Sequence, residues 1–197
     1  MINLPQTNTN SISSETIENE CIYGRNLWLF DALKSHSSGP GIYRKLVENA
    51  VISIKVLDPY LNEGDAKLFN NINPNVDVNI LTTFGINGGN YPLTFNKFFT
   101  EIKGYESLCK YNLTVKILNS REIQNIDKKP FHDRYLLVDD RAFFVGSSLT
   151  YHAIENEIEN NKIATTSINE ITDNADILLI NEQFEDYWNS KYSIVAQ

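Results

Sequence analysis

The sequence predicts an α/β domain, a mixed and mostly parallel β-sheet flanked by helices. Two observations lead there. Up to residue 118, runs rich in β-branched residues alternate with helical stretches. Strand–helix–strand repetition of that kind implies right-handed crossovers and parallel pairing. Beyond residue 130 the pattern changes to two short apolar runs joined by Asp139-Asp140-Arg141, which predicts a β-hairpin.

Residues 1–20, rich in Asn, Thr, Ser and Glu, predict a flexible N-terminal arm and leave 21–197 as one domain. Asn26 to Lys34, with Leu27, Leu29, Phe30 and Leu33, predicts a short helix that ends before the Ser37-Ser38-Gly39-Pro40-Gly41 break. Ile42 to Asn49 reads as helix. Val51 to Leu57 reads as a buried strand stopped by Asp58-Pro59. Glu63 to Ile72 predicts a helix and Val76 to Thr82 a second buried strand. Asn87-Gly88-Gly89-Asn90 is a loop, Phe95 to Tyr111 a longer helix, and Leu113 to Leu118 a third strand. The hairpin strands are Arg134 to Asp139 and Ala142 to Ser147. A polar stretch of helix and loop follows from His152 to Asn161, then a strand over Lys162 to Ile168. Asn174 to Trp188 closes the chain as a helix with Ile177, Leu178, Ile180, Phe184, Tyr187 and Trp188 as its apolar face.

A chain of 197 residues with 42% hydrophobic and 21% charged residues can bury a real core. Its net charge of −8 argues against a protein that coats nucleic acid through its overall field. Lys128, Lys129, Arg134 and Arg141 nevertheless make a local basic window. No apolar run approaches the roughly 20 residues of a membrane span. Met1 to Glu20 lacks the basic and apolar regions of a secretory signal, and Cys21 and Cys109 lack metal-ligand spacing. Idle thiols in a reducing cytoplasm are the expectation. The chain has no His-Glu-x-x-His or Cys-x-x-Cys run and no Asp cluster on one element, consistent with an expectation of no metal and no cofactor.

The segment that carries chemistry runs from Phe131 to Ser148. On a strand, His132 and Arg134 project from the same face, Leu136 and Val138 continue it inward, and Tyr135 and Leu137 line the other. A return strand brings Gly146 and Ser147 back beside His132. An imidazole, a guanidinium and a hydroxyl would then converge at a sheet edge. That is a cradle for phosphate, because Arg clamps phosphate oxygens and Ser donates a further hydrogen bond. Asp58-Pro59-Tyr60 falls at the end of a predicted parallel strand, where open α/β sheets bind ligands. It reads as a strand-terminating turn, with Tyr60 as a candidate pocket wall.

Each residue also has a plainer role open to it. His132 could be a hydrogen-bonded structural residue, and Arg134 could pair with Asp133 or a nearby Glu on the surface. Asp139 reads as a turn former or sheet anchor, and Ser147 as a small residue that lets the hairpin close. The Gly88-Gly89 loop lacks a Gly-Lys-Ser/Thr ending, and Gly146-Ser147-Ser148 is not a nucleophile elbow.

With those residues in place, the chain resembles the phospholipase D superfamily. The signature His-x-Lys-x4-Asp-x6-Gly-Ser falls on His132, Arg134, Asp139, Gly146 and Ser147 with every spacing matched. The resemblance extends over roughly residues 45–190. Two positions depart from it: Arg134 stands where the family has Lys, and Leu149 and Thr150 stand where it usually has Asn.

The resemblance implies a metal-independent phosphodiesterase, in its short form a nuclease, that works through a phosphohistidine. It assigns catalysis to His132, Arg134 and Ser147. An orienting carboxylate falls on Glu159, with Glu157 and Glu155 as rivals by spacing. Ser148, Lys129 and Tyr60 are candidates for substrate binding, and Asp139 and Gly146 belong to the structural motif. Family members need two such motifs. This chain has one, so the resemblance implies a homodimer with the site on its two-fold axis. Nucleic acid is favoured over lipid as the phosphodiester because the chain is short and shows no membrane segment or basic amphipathic helix. The two departures point to the alternative, a catalytically degenerate module that binds phosphate-bearing ligands or a protein partner.

Overall fold

Three apolar runs between residues 53 and 118 form the parallel heart of an eight-stranded sheet. The computed structural model describes residues 27–30, 38–61, 63–83, 91–119, 131, 133–146 and 166–196. The strands are β1 (Leu27–Phe30), β2 (Ser53–Leu57), β3 (Asp77–Thr83), β4 (Asn112–Leu118), β5 (Tyr135–Val138), β6 (Arg141–Val145), β7 (Thr166–Ile171) and β8 (Ser193–Val195). Helix α1 (Ser38–Glu48) precedes β2, a 3-10 helix (Glu63–Phe69) links β2 to β3, and α2 (Tyr91–Cys109) links β3 to β4. Helix α3 (Asn174–Trp188) follows β7. The sheet order is β1-β7-β6-β5-β2-β3-β4-β8.

Among the described strands, β2–β3 and β3–β4 pair in parallel. The other five pairings are antiparallel. The sheet is mixed, as expected, but less parallel than the sequence suggested. The reason lies after residue 130, where a hairpin docks β5 against β2 in the opposite sense and each later strand turns back on its neighbour.

Side-chain alternation sorts the sheet into two faces. Ile54, Val56, Val78, Ile80, Leu136 and Val138 join the large core beneath α1, the 3-10 helix and α2. Leu57, Leu81, Leu118 and Phe131 turn the other way and pack on Phe184 of α3, while Leu137 and Ala142 meet Ile180 of the same helix. Each strand feeds both layers because successive side chains point to opposite faces.

Helix α3 has the bounds its sequence predicts. Asp173 caps it by accepting from the backbone N–H groups of Ala175 (2.8 Å) and Asp176 (3.4 Å). Lys116 reaches its other end, donating to the Trp188 carbonyl at 2.8 Å with the ammonium 4.5 Å from the indole ring centre. Lys55 binds its flank, 2.7 Å from both Asn181 Oδ1 and Glu185 Oε1. Leu178, assigned to the buried face by periodicity, is 56% exposed, and Leu179 beside it is exposed too. The helix has a core on one side of the sheet only, so its stripe is narrow, with Ile180 and Phe184 its buried residues.

Four elements differ from expectation. Leu27–Phe30 is an edge strand on β7, with Leu27 opposite Asn169, where a helix was expected. A short apolar run has no periodicity that separates the two, and long-range pairing decides it. Helix α1 starts at Ser38, because Pro40 fits a first helical turn, where its missing N–H is no loss. Residues 63–69 wind as a 3-10 helix. Strand β8 was not foreseen; it is three residues long and pairs with β4. The arm 1–20, the Asn87–Asn90 loop and the stretch His152–Asn161 lie outside the described residues.

Candidate active site

Strand β2 ends at Leu57, which lies opposite Tyr135 at the start of β5, and Tyr135 in turn lies opposite Phe144 near the end of β6. One end of the sheet therefore gathers Asp58, Arg134 and Gly146. The Val145 N–H donates to the Arg134 carbonyl at 2.9 Å, carrying the hairpin ladder one step past the last paired strand residue. Arg134 turns to the large-core face, as alternation from Leu136 requires. There it lines a small cleft whose walls include Tyr43, Asp58, Leu61, Asp65 and Val145.

The Arg134 side chain is 14% exposed and its ion-pair partner is Asp58, not the neighbouring Asp133. Nε comes within 3.3 Å of Asp58 Oδ1. That distance makes an ion pair, but the N–H is not aimed along it, and Nε is left without a hydrogen-bond acceptor among the described residues. The Tyr60 ring lies against the guanidinium, 4.5 Å from centroid to Cζ. Asp58 is itself fixed, since its Oδ1 accepts the Tyr60 backbone N–H at 2.8 Å. Beyond it, Asp65 is buried at 3% exposure. Burial first, then the charges of Asp58 and Asp65, push the Tyr43 hydroxyl well above its ordinary range, so it stays protonated.

Gly146 continues the hairpin, and its N–H donates to the Ser167 carbonyl of β7 at 2.8 Å. A Cβ here would stand 2.7 Å from Ser167 Oγ, so the close approach of β6 and β7 favours glycine. Asp139 sits at the opposite end of the sheet with φ 54°, a left-handed turn conformation that Asp tolerates. Its carboxylate accepts from three successive backbone N–H groups, those of Val51 (3.1 Å), Ile52 (2.8 Å) and Ser53 (3.0 Å). Asp139 thus ties the hairpin turn to the start of β2, far from the cleft.

His132, Ser147, Ser148, Glu159 and Lys129 lie outside the described residues. Of the expected site, the structure brings together Arg134, Tyr60 and, at the hairpin's edge, Gly146. Asp58, Asp65 and Tyr43 were missed as neighbours of Arg134. For Asp58 the sequence held a signal, its place at the end of a parallel strand. For Tyr43 and Asp65 it held none. Among the described residues no group of three His, Cys, Asp or Glu side chains could hold a metal, and no helix is long and apolar enough to cross a membrane.

Solved structures that share this architecture include two bacterial proteins. Nuc from Salmonella typhimurium, a phospholipase D family member, is 13% identical, with 87% of this chain and 96% of that one covered at a TM-score of 0.54. NucT from Helicobacter pylori is 13% identical, with 85% and 97% covered and the same TM-score of 0.54. The fold is phospholipase D–like. TrmBL2, an archaeal chromatin protein, is 17% identical at a TM-score of 0.47; 87% of this chain is covered, which spans 54% of that protein's length. No protein-family model and no curated protein matches the sequence.

Proposed function

We propose that this chain is a metal-independent phosphodiesterase, a nuclease in its activity, with its site completed by a second copy. The observation that carries the reading is the position of Arg134. Within a motif of full spacing it holds a largely buried guanidinium at the wall of a small cleft, at the end of a parallel strand. His132 of one copy attacks phosphorus. A P–N bond forms as the P–O bond to the leaving group breaks, and the histidine of the second copy protonates the leaving oxygen. Water then attacks the phosphohistidine, giving its proton to that second histidine, and the P–N bond breaks. Arg134 and Ser147 neutralise charge on the non-bridging oxygens, with Ser148 and Lys129 as further phosphate contacts. Glu159 orients His132. The homodimer and a cytoplasmic location belong to the same reading.

The test is hydrolysis of bis(p-nitrophenyl) phosphate and single-stranded DNA in EDTA. The wild type is expected to turn over both, and His132→Ala to lose the activity while keeping its melting temperature. A folded dimer that cuts neither substrate rejects the reading. A second reading, a module that binds phosphate-bearing ligands without turnover, has one observation in its favour. Arg134 already faces Asp58, and Asp65 is buried in the same cleft, so two carboxylates stand against one guanidinium.

A further inference from the structure

Arg134 stands where the resemblance would place a lysine, and its surroundings are shaped for the larger group. A guanidinium is flat, so it can lie on an aromatic ring and meet a carboxylate with one edge at the same time. An ammonium is a compact point charge and cannot do both. The cleft supplies both surfaces: the Tyr60 ring 4.5 Å from Cζ, and Asp58 Oδ1 3.3 Å from Nε. Both come from one short segment after β2. Asp58 accepts the Tyr60 N–H at 2.8 Å, and Pro59 between them is buried, so the pair of surfaces is set before any ligand arrives.

Resting on the reading of Arg134 as the phosphate clamp, we infer that Asp58 and Tyr60 are positioning residues that commit this site to arginine. Asp58 attracts the guanidinium by charge from its Nε side, and Tyr60 fixes its plane. The terminal amino groups are then the part that a phosphodiester takes. Arg134 is in this view a built feature of the site and not a decayed lysine.

The inference separates affinity from rate. Removing the Asp58 charge leaves Arg134 cationic and takes away a carboxylate that competes with phosphate, so phosphate binding holds or tightens. The guanidinium loses its fixed angle, so turnover falls, because small misplacements cost rate steeply. A residue that served only stability would lower the melting temperature without splitting kcat from KM.

The experiment compares wild type with Asp58→Asn, Tyr60→Phe, Tyr60→Leu and Arg134→Lys. It reads kcat and KM on bis(p-nitrophenyl) phosphate, affinity for inorganic phosphate by calorimetry, and melting temperature. Asp58→Asn is expected to lower kcat about tenfold or more with unchanged or tighter phosphate binding. Tyr60→Phe keeps the ring and is expected to lose less of kcat than Tyr60→Leu, which removes it. Arg134→Lys lowers kcat/KM about tenfold although it restores the signature residue. The tyrosine pair carries the test should Asp58→Asn fail to fold.

An Arg134→Lys variant as active as wild type, or Tyr60→Leu with unchanged kcat, overturns the inference and leaves the phosphodiesterase standing. A folded wild type that binds phosphate without turnover, more weakly in Arg134→Lys and Tyr60→Leu, supports the positioning role and rejects catalysis. A wild type that neither turns over nor binds phosphate rejects both.

Discussion

Strand β2 meets an aspartate at each of its ends, and the two contacts are built in opposite ways. At its start, Asp139 receives three backbone N–H groups, and the Asp139 N–H donates in turn to the Ser53 carbonyl at 2.9 Å. At its finish, Asp58 and Arg134 stand close without a directed hydrogen bond, and the Arg134 Nε has no acceptor among the described residues. The first contact closes its polar accounts within the chain. The second leaves the buried Arg134 Nε without an acceptor among the described residues, in the wall of the cleft. A satisfied network rigidifies a fold, whereas a partly satisfied one beside a cleft costs stability unless something else completes it.

The largest stability effect is expected at the satisfied end. Asp139→Ala removes the acceptor of three N–H groups and a residue at home in the left-handed turn, so unfolding free energy should fall by about 2–3 kcal/mol. Urea titration measures this, and phosphate affinity of the remaining folded protein should not move. An equal stability loss on removing the other contact would break the contrast. There, Asp58→Asn combined with Arg134→Met removes both charges together, so neither is left buried alone. Stability should change by less than about 1 kcal/mol while phosphate binding is lost.

A smaller effect is expected at Gly146. Gly146→Ala meets the Ser167 hydroxyl at 2.7 Å and should cost about 1 kcal/mol, with Ser167→Ala in the same chain recovering most of it. Additive losses in that double-mutant cycle would show that Ser167 is not the obstacle. The smallest concerns pH. Tyr43 is held protonated in the folded chain above the pH at which the unfolded chain releases its proton. The unfolded state then binds fewer protons, so stability falls as pH rises above about 10. Tyr105, Tyr111 and Tyr135 are raised as well, by burial first in each case. Tyr43→Phe should therefore flatten part of the alkaline slope, and an unchanged slope would show that Tyr43 does not contribute.

What the sequence revealed follows the same divide between local and distant causes. The bounds of α3 were legible because Asp173 caps the helix and Phe184 and Trp188 fall on its period. The strands β2, β3 and β4 were legible as β-branched runs between breakers. The face of Arg134 followed from counting back from Leu136. Leu27–Phe30 was misread because only pairing with residues 166–169 makes it a strand. Strand β8, three residues long, has too few positions to show a period. The partnership of Arg134 with Asp58 could not be read, since the register of β5 on β2 creates it and no local pattern encodes that register.

The placement of β1 bears on how the chain folds as it is made. Leu27–Phe30 is made well before its only sheet neighbour among the described residues, β7, which emerges some 140 residues later. The parallel unit β2–β3–β4 depends on nearer segments and can form meanwhile. Through that interval, strand-forming backbone waits with its ladder groups unmet, open to pairing with another chain. Folding of the nascent chain is in this sense ordered from the middle of the sheet outward, and its first strand is set among its last.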